Sequence, residues 1–227
     1  MSAQTIRELM SIDGLLALWV MLALLCCAVL LWDLRRHNAH IGSLMKAMWL
    51  LTALYSGPLG LLIYYYSGRR LIRRDSLWRQ GFRSVAHCYS GCGAGEITGG
   101  LLAAGLLSLG NTGTALITFG LAYVFGYGMS LGPLLQDGTP VNQALLDTLY
   151  ADTATIAVME ISAICLDLWL AASATPGDTL FWTSLLLSLT AGLIVAYPVN
   201  VALVYLGVKG GMANPRDSAA GTHGHAH

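Results

Sequence analysis

Six apolar runs, each about as long as a membrane is thick, constrain this chain more than any other feature of its sequence. They cover residues 14–32, 44–67, 91–109, 114–135, 146–172 and 179–208. A helix of roughly 20 residues crosses the ~30 Å hydrocarbon layer of a bilayer. Because backbone N–H and C=O groups in lipid must pair within their own segment, runs of this length are expected to be helical. The sequence therefore predicts an all-α integral membrane bundle of about six transmembrane helices, with the lipid bilayer as its surroundings.

The charge content supports this prediction and excludes several function classes. Only 11% of the 227 residues are charged, whereas roughly a quarter are charged in soluble domains. The formal net charge is zero, so there is no electrostatic argument for a nucleic-acid partner. Asp33, Leu34, Arg35 and Arg36 follow the first run in place of a small-residue cleavage site, which favours a retained helix over a signal peptide. No nucleotide-binding loop, nucleophile elbow or zinc-protease helix occurs in the sequence.

Half of the basic residues fall around one loop between the second and third runs. They are Arg69, Arg70, Arg73, Arg74, Arg79 and Arg83. The positive-inside rule predicts that this loop is cytoplasmic. Six crossings then place both termini in the cytoplasm of a bacterium, with the chain in the inner membrane, although Arg35, Arg36 and Lys46 fall on the outer side and disagree. Trp78 and Phe82 interleave with the arginines, which predicts a basic interfacial helix after the second crossing.

The strongest local pattern opens the third apolar run. Cys88, Cys92 and Glu96 are spaced four residues apart and therefore share one helix face, and His87 precedes them. A parallel stripe of glycines predicts close packing against another helix. Its members are Gly91, Gly95 and Gly99.

Thiolates and imidazole suit copper or zinc, so His87, Cys88 and Cys92 are candidate ligands of a transition metal, the one cofactor that the sequence suggests. The Cys-x-x-x-Cys spacing matches no closed zinc motif, and two small cysteines packed in a glycine seam are the alternative.

The fifth run carries acids at unusual depth. Asp152, Glu160 and Asp167 lie close to one helical face, with Glu160 nearest the centre. A carboxylate at mid-membrane costs roughly 2.5–3.5 kcal/mol on insertion scales, so such residues usually face an interior site. In the last run Pro198 kinks the helix, which predicts that Asn200 lines a polar pocket with Asp152 and Asp167.

Three segments are predicted from these patterns. Residues 1–43 form an N-terminal transmembrane helix and an external loop, residues 44–212 form the core membrane domain, and residues 213–227 form a disordered tail. The tail ends with alternating histidines, which bind divalent metal only weakly. They are His223, His225 and His227.

Several short motifs, in this order, resemble one family. They are Met48–Trp49, residues 52–58 ending in Ser56, Gly57 and Pro58, His87–Cys88, Gly91–Cys92, residues 151–153, Glu160, Phe181–Trp182, residues 197–200 and residues 207–209. Over residues 45 to 212 the chain resembles the bacterial membrane-protein family of the domain of unknown function four-three-nine-six. The resemblance implies a polytopic bacterial membrane protein with a His-Cys/Gly-Cys element, and it brings no established activity. The family pattern usually has Asp where this chain has Glu96.

The favoured functional hypothesis is the handling of a soft, copper-like metal by a permease or a metal donor. The expected ligands are His87, Cys88, Cys92, Glu96 and Glu160. The first alternative is an intramembrane thiol redox enzyme that cycles Cys88 and Cys92. The second is a non-catalytic membrane scaffold or assembly factor, and a homo-oligomer or larger membrane complex is compatible with either. A non-enzymatic role is favoured.

Overall fold

The chain folds into a bundle of helices. The computed structural model describes residues 3–70, 72, 74–136, 140–171 and 174–209, and none of these forms a strand. The helices are α1 (Ala3–Met10), α2 (Asp13–His37), α3 (Ser43–Ser56), α4 (Pro58–Ile63), α5 (Leu77–Gly100), α6 (Asn111–Gln136), α7 (Val141–Ala171) and α8 (Thr179–Tyr205). π-Helical turns extend α4 over Tyr64–Gly68 and α5 over Leu101–Leu106. The predicted all-α membrane bundle is confirmed.

Four helices of the described chain are long and apolar enough to cross a membrane: α2, α6 (within Asn111–Gly132), α7 and α8. The fifth long helix, α5, is less apolar than these four. Its neighbours surround it, so most of its polar side chains are shielded. It packs against α3, α6, α7 and α8, and every residue from Arg83 to Gly93 is buried. A central helix that does not face lipid can carry serine, cysteine, glycine and glutamate without exposing them to acyl chains.

The second apolar run differs from the expectation of a crossing helix, because α3 and α4 form an antiparallel hairpin. At the turn Gly57 has a φ of 53°, and Pro58 begins α4. The rings of Trp49 on α3 and Tyr64 after α4 then meet edge-to-face, with centroids 5.4 Å apart. The positive φ at glycine and the fixed φ of proline end one helix and start the next in a new direction. The run therefore enters and leaves the bundle at the same end.

A buried polar cluster ties the end of this hairpin to the end of α2. Asp33 accepts hydrogen bonds from the Arg69 guanidinium at 3.1 and 2.7 Å and from the Tyr64 hydroxyl at 2.7 Å. The Asn38 amide donates to the Tyr64 hydroxyl at 3.0 Å and to the Gly68 carbonyl at 2.8 Å. The basic loop after the hairpin therefore lies at the same end of the bundle as Arg35 and Arg36, in the last turn of α2. These two groups of basic residues no longer require opposite sides of the membrane, so the positive-inside rule does not set them in conflict.

The two described ends of the chain lie at opposite ends of the bundle. Near the start of α8, Thr183 donates to the Met10 carbonyl at 2.8 Å, whereas near its end Asn200 accepts from Lys209 at 2.9 Å. Seventeen residues of helix, about 26 Å, separate these two positions on α8. The expectation that both termini are cytoplasmic stays a prediction, although the described ends of the chain lie at opposite ends of the bundle. The two ends are separated because the second run folds back on itself, so that α2 and α5 to α8 are the helices that run from one end of the described bundle to the other.

The basic loop does not form a separate interfacial helix within its described residues. Leu77 begins α5, and the preceding Ser76 accepts a hydrogen bond from the Arg79 N–H at 3.4 Å as its N-cap. Phe82, expected on the membrane surface, instead stacks on Tyr197 of α8 with ring centroids 3.8 Å apart. The first turns of a long central helix thus take the place of the predicted surface helix.

The predicted boundary between residues 43 and 44 stays a prediction, and the predicted tail at 213–227 lies outside the described residues.

Candidate functional site

The glycine stripe of α5 lies where α6 comes closest. A Cβ atom added to Gly95 would lie 2.5 Å from the backbone of Ala122, and one added to Gly99 would lie 2.6 Å from the Thr118 Cα. A Cβ on Gly91 would lie 2.5 Å from the Phe125 carbonyl oxygen. The α6 backbone fills this face of α5. On the neighbouring face Cys88 and Glu96 point toward α7, whereas Cys92 Sγ also lies beside α6, 3.0 Å from where a Cβ on Gly126 would be.

Cys92, Glu96 and Glu160 meet at the centre of the bundle, and we call them the central acid group. All three are buried, and Glu160 is 0% exposed. The Glu160 side chain interacts with the Glu96 carboxyl and the Cys92 thiol. No amide, hydroxyl or ammonium group of the described residues donates a hydrogen bond to the Glu160 carboxyl, so the Glu96 carboxyl and the Cys92 thiol are its polar neighbours. Two ionised carboxylates in buried contact repel strongly, so at least one of the two is expected to be protonated unless a cation lies between them.

A second polar group lies nearer the end of α8, and we call it the Lys209 group. The Lys209 ammonium forms an ion pair with Asp152 and donates to Asn200 Oδ1 at 2.9 Å and to Cys88 Sγ at 3.2 Å. Cys88 Sγ in turn lies 3.3 Å from Asp152 Oδ1, and the Ser84 hydroxyl donates to Asn200 Oδ1 at 3.1 Å. The group joins α5, α7, α8 and the segment after α8.

Asp167 forms the third polar position, near the opposite end of α7. Its carboxylate accepts a hydrogen bond from Ser184 at 2.6 Å. It also lines a cavity of about 210 Å³ with Asn111, Thr114 and Thr175. The cavity lies at the end of the bundle where α7 ends and α8 begins. Water and small cations therefore have space beside this carboxylate.

The three positions form a line through the bundle, which we call the carboxyl file. Asp152, Glu160 and Asp167 follow one side of α7 over 15 residues, about 22 Å of the ~30 Å hydrocarbon layer. Cys88, Cys92 and Glu96 accompany them along α5, which runs in the same direction as α7. Acids at these depths are costly unless they face a cavity, a partner or one another, and here they do.

The five residues expected to bind one metal are divided between separate places. Cys92, Glu96 and Glu160 come together, and Cys88 lies one turn away with Asp152. His87 shares no hydrogen bond with the described side chains of either group, and its Nε2 lies 3.3 Å from Met45 Sδ of α3. Adjacent residues point about 100° apart on a helix, so His87 and Cys88 face different neighbours. Among the described residues, no three His, Cys, Asp or Glu side chains stand in an arrangement ready to hold a metal ion.

Lys209 is the site residue that the sequence did not reveal. Gly207, with a φ of 70°, turns the chain back after α8, and the Lys209 N–H donates to the Leu203 carbonyl at 3.2 Å. Glycine just past a helix end is the one signal that pointed to this reversal. Two side-chain partners of Lys209, Cys88 on α5 and Asp152 on α7, are more than 50 residues away in the sequence. No local sequence pattern reports contacts over such distances.

Comparison with known proteins places this site inside a family. The family model described as "Domain of unknown function (DUF4396)" matches residues 77–209, which is more than half of the chain. The match contains α5 to α8 and all three polar positions of the carboxyl file, whereas the hairpin precedes it. Searches of curated proteins and of solved structures found no match. The chain therefore belongs to the membrane-protein family defined by the domain of unknown function DUF4396.

Proposed function

We propose that this chain carries a transition-metal cation across the membrane along the carboxyl file, with the central acid group as its binding site. Glu160 is the observation that supports the proposal most. It is fully buried within α7, receives no hydrogen bond from an amide, hydroxyl or ammonium group of the described residues, and faces a second carboxyl and a thiol. A helix bundle held together by packing alone has no need of such a pair, since apolar residues would fill the same space at lower cost.

The chemistry of the three side chains supports the class of cargo. A thiol beside two carboxyls favours copper or zinc over magnesium or calcium, which prefer oxygen ligands alone. The metal would take the place of the proton that the pair holds, so its binding releases protons from Glu96, Glu160 and the Cys92 thiol. The site therefore suits an exchange in which metal moves in one direction and protons move in the other.

The distribution of basic residues supports an orientation. The hairpin gathers the basic end of α2 and the basic loop at one end of the bundle, and the positive-inside rule assigns that end to the cytoplasm of a bacterial inner membrane. The Asp167 cavity would then face the other side. The described N-terminal end would lie outside, and Lys209 would lie inside.

The test uses the purified full chain in proteoliposomes under reducing conditions, with Zn²⁺ and Cu⁺ as separate probes. A metal indicator and a pH dye inside the vesicles follow both ions. We expect Glu160→Gln and Cys92→Ser each to weaken metal binding and uptake about tenfold or more, a loss of about 1.4 kcal/mol per tenfold. Glu8→Gln on α1 and Cys165→Ser on α7 are matched controls, because both side chains are exposed. They should change uptake less than about twofold.

Each other outcome overturns a stated part of the proposal. If the unmodified protein neither binds nor moves either metal, the metal cargo is wrong. A pH signal that requires Glu160 but no metal would identify the proton as the sole cargo. Reversible disulfide formation between Cys88 and Cys92 that bound metal does not prevent would favour the thiol redox enzyme instead. Equal loss in the controls and the site variants would remove the central acid group from the function.

A further inference from the structure

The Lys209 ammonium occupies a position whose surroundings would also suit a free cation. The residue is only 8% exposed, although it follows the end of a membrane helix. Lysines at such positions usually extend toward the headgroups and water, because burial of an ammonium is costly. Here Gly207 turns the chain back, and the side chain reaches inward to Asp152, Asn200 and Cys88.

The three groups around the ammonium form a ligand set of their own. Asp152 supplies a carboxylate, Cys88 a thiol and Asn200 an amide oxygen, and all three are buried. The hydrogen bond from Ser84 orients the Asn200 amide oxygen. A carboxylate, a thiol and an amide oxygen from three helices would attract a transition-metal cation if the ammonium were absent.

The ligand set formed by Asp152, Cys88 and Asn200 lies next to the central acid group, toward the basic end of the bundle. Cys88 lies one helical turn from Cys92 on α5, and Asp152 lies about 12 Å along α7 from Glu160. A cation that moves along the carboxyl file toward the basic end of the bundle therefore reaches Asp152 and Cys88 after the central acid group.

We propose that Asp152, Cys88 and Asn200 form a second cation site, which Lys209 occupies as a tethered competitor and must leave when a cation binds there. This inference rests on the proposed function for its role in transport, although the site is defined by its own contacts. The ammonium closes the basic end of the file in the cation-free state. Because the competitor is attached to the same chain, it acts at a high effective concentration and lowers the apparent affinity for a free cation.

The test measures Cd²⁺ binding at Cys88 in the full chain, with Cys26, Cys27, Cys92 and Cys165 changed to Ser so that one thiol remains. Thiolate-to-metal charge-transfer absorption and protection of Cys88 from a maleimide both report binding. We expect Lys209→Met, which removes the charge and keeps most of the length, to raise the Cd²⁺ affinity about tenfold or more. Lys209→Arg should keep the low affinity, because it keeps the positive charge.

Three further variants make the comparison specific to the Lys209 group. Lys46→Met makes the same substitution at a lysine that donates to the Ala39 carbonyl outside the Lys209 group, and it should leave Cd²⁺ binding unchanged. Asp152→Asn added to Lys209→Met should abolish the gain. Lys209→Gln is the second charge-removing variant, and helicity with size-exclusion behaviour checks the fold of each protein.

The outcomes separate this inference from the proposed function. Unchanged Cd²⁺ affinity in folded Lys209→Met or folded Lys209→Gln overturns the proposal that Lys209 competes with a cation. Unfolding of both variants overturns it as well, because the ammonium would then be a structural tie. If zinc or copper uptake depends on Glu160 but Lys209→Met does not raise the Cd²⁺ affinity, the proposed transport function is kept and the second cation site is rejected. If Lys209→Met raises the Cd²⁺ affinity but the unmodified protein transports no metal, the second cation site is kept and its role in transport is rejected.

Discussion

At the scale of single residues, Arg83 and Asp75 show how the basic end of the bundle holds a buried charge. The Arg83 side chain is enclosed, and its guanidinium donates to the Asp75 carboxylate at 3.1 and 2.5 Å and to the Ser67 carbonyl at 3.0 Å. Partial burial acts to raise the pKa of Asp75, but the hydrogen bonds and charge of Arg83 outweigh it, so this pKa lies below its ordinary value of 3.8. The pair fixes the loop before α5 onto the helix.

The Asp75 pair predicts a pH-dependent stability. Because the pKa is lower in the folded state, the contribution of Asp75 is complete above the ordinary carboxyl pKa and is lost as the pH falls through the folded value. We expect Asp75→Asn to lower the free energy of unfolding near neutral pH by about 1 kcal/mol after solvent screening. The difference from the unmodified protein should narrow below about pH 4. Thermal unfolding in detergent at several pH values measures it.

Gln80→Ala is the control for this prediction, since Gln80 donates to Asp75 only at 3.4 Å and leaves the ion pair in place. A pH-independent gap for Asp75→Asn would contradict the assignment of the pair.

The glycine seam predicts a second single-residue effect. A Cβ on Gly95 would lie 2.5 Å from the Ala122 backbone, and a backbone atom has little freedom to move aside. We expect Gly95→Ala to destabilise the protein by roughly 1–3 kcal/mol through overpacking. Gly120→Ala on α6, where a Cβ meets nothing within 4 Å, should be neutral or stabilising by up to about 1 kcal/mol. Chemical unfolding in mixed micelles compares the two, and equal effects would argue against close α5–α6 contact.

At the scale of elements, the hairpin formed by α3 and α4 decides the direction of the rest of the chain. Its turn depends on Gly57, whose φ of 53° and ψ of −124° are costly for any residue with a Cβ. Its two arms meet closely, because a Cβ on Gly60 would lie 2.5 Å from the Thr52 carbonyl oxygen. The tip reaches α5, where Ser56 and Tyr89 share a hydrogen bond of 2.7 Å.

Gly57→Ala should therefore destabilise the hairpin. We expect a loss of roughly 1–3 kcal/mol from backbone strain, with a further contribution from the Trp19 ring, which would lie 3.3 Å from the new Cβ. Gly42→Ala before α3 is the matched control, because its φ is −57° and a Cβ there meets nothing within 4 Å. Thermal unfolding of both variants in the same detergent tests the prediction. A Gly57→Ala protein as stable as the control would exclude a tight turn.

At the scale of the whole molecule, five long helices and one hairpin place the two described ends of the chain at opposite ends of the bundle. The N-terminal α1 lies beside the start of α8, where Arg7 donates to the Trp169 carbonyl at 2.5 Å. The same arrangement lets α5 and α7 run in one direction, which aligns their cysteines and acids along the carboxyl file.

This topology predicts which positions are labelled from the same side. Cysteines introduced at Gly42 and Arg74, on either side of the hairpin, should react with a membrane-impermeant maleimide from one side of oriented vesicles. Cysteines at Ser11 and Gly177 should react only from the other side. All four positions are exposed. If Gly42→Cys and Arg74→Cys react from opposite sides, the second apolar run crosses the membrane after all.

The sequence was a good guide to the elements and a partial guide to the site. The apolar runs gave the long helices, because the length of a run and its hydropathy are local properties. The four-residue spacing correctly grouped Cys92 with Glu96, since helix periodicity fixes which residues share a face. The side chain of His87 instead contacts Met45 of α3, because a neighbouring residue on a helix faces a different element.

What the sequence determined by itself was a membrane bundle of helices with buried acids and thiols, because the cost of polar groups in lipid acts on each segment separately. Tertiary structure alone decided the direction of the second run and the partner of each charge. The tie between Asp33 and Arg69 spans 36 residues, and that between Cys88 and Lys209 spans 121. Such pairs form only when distant helices pack, so no local pattern encodes them.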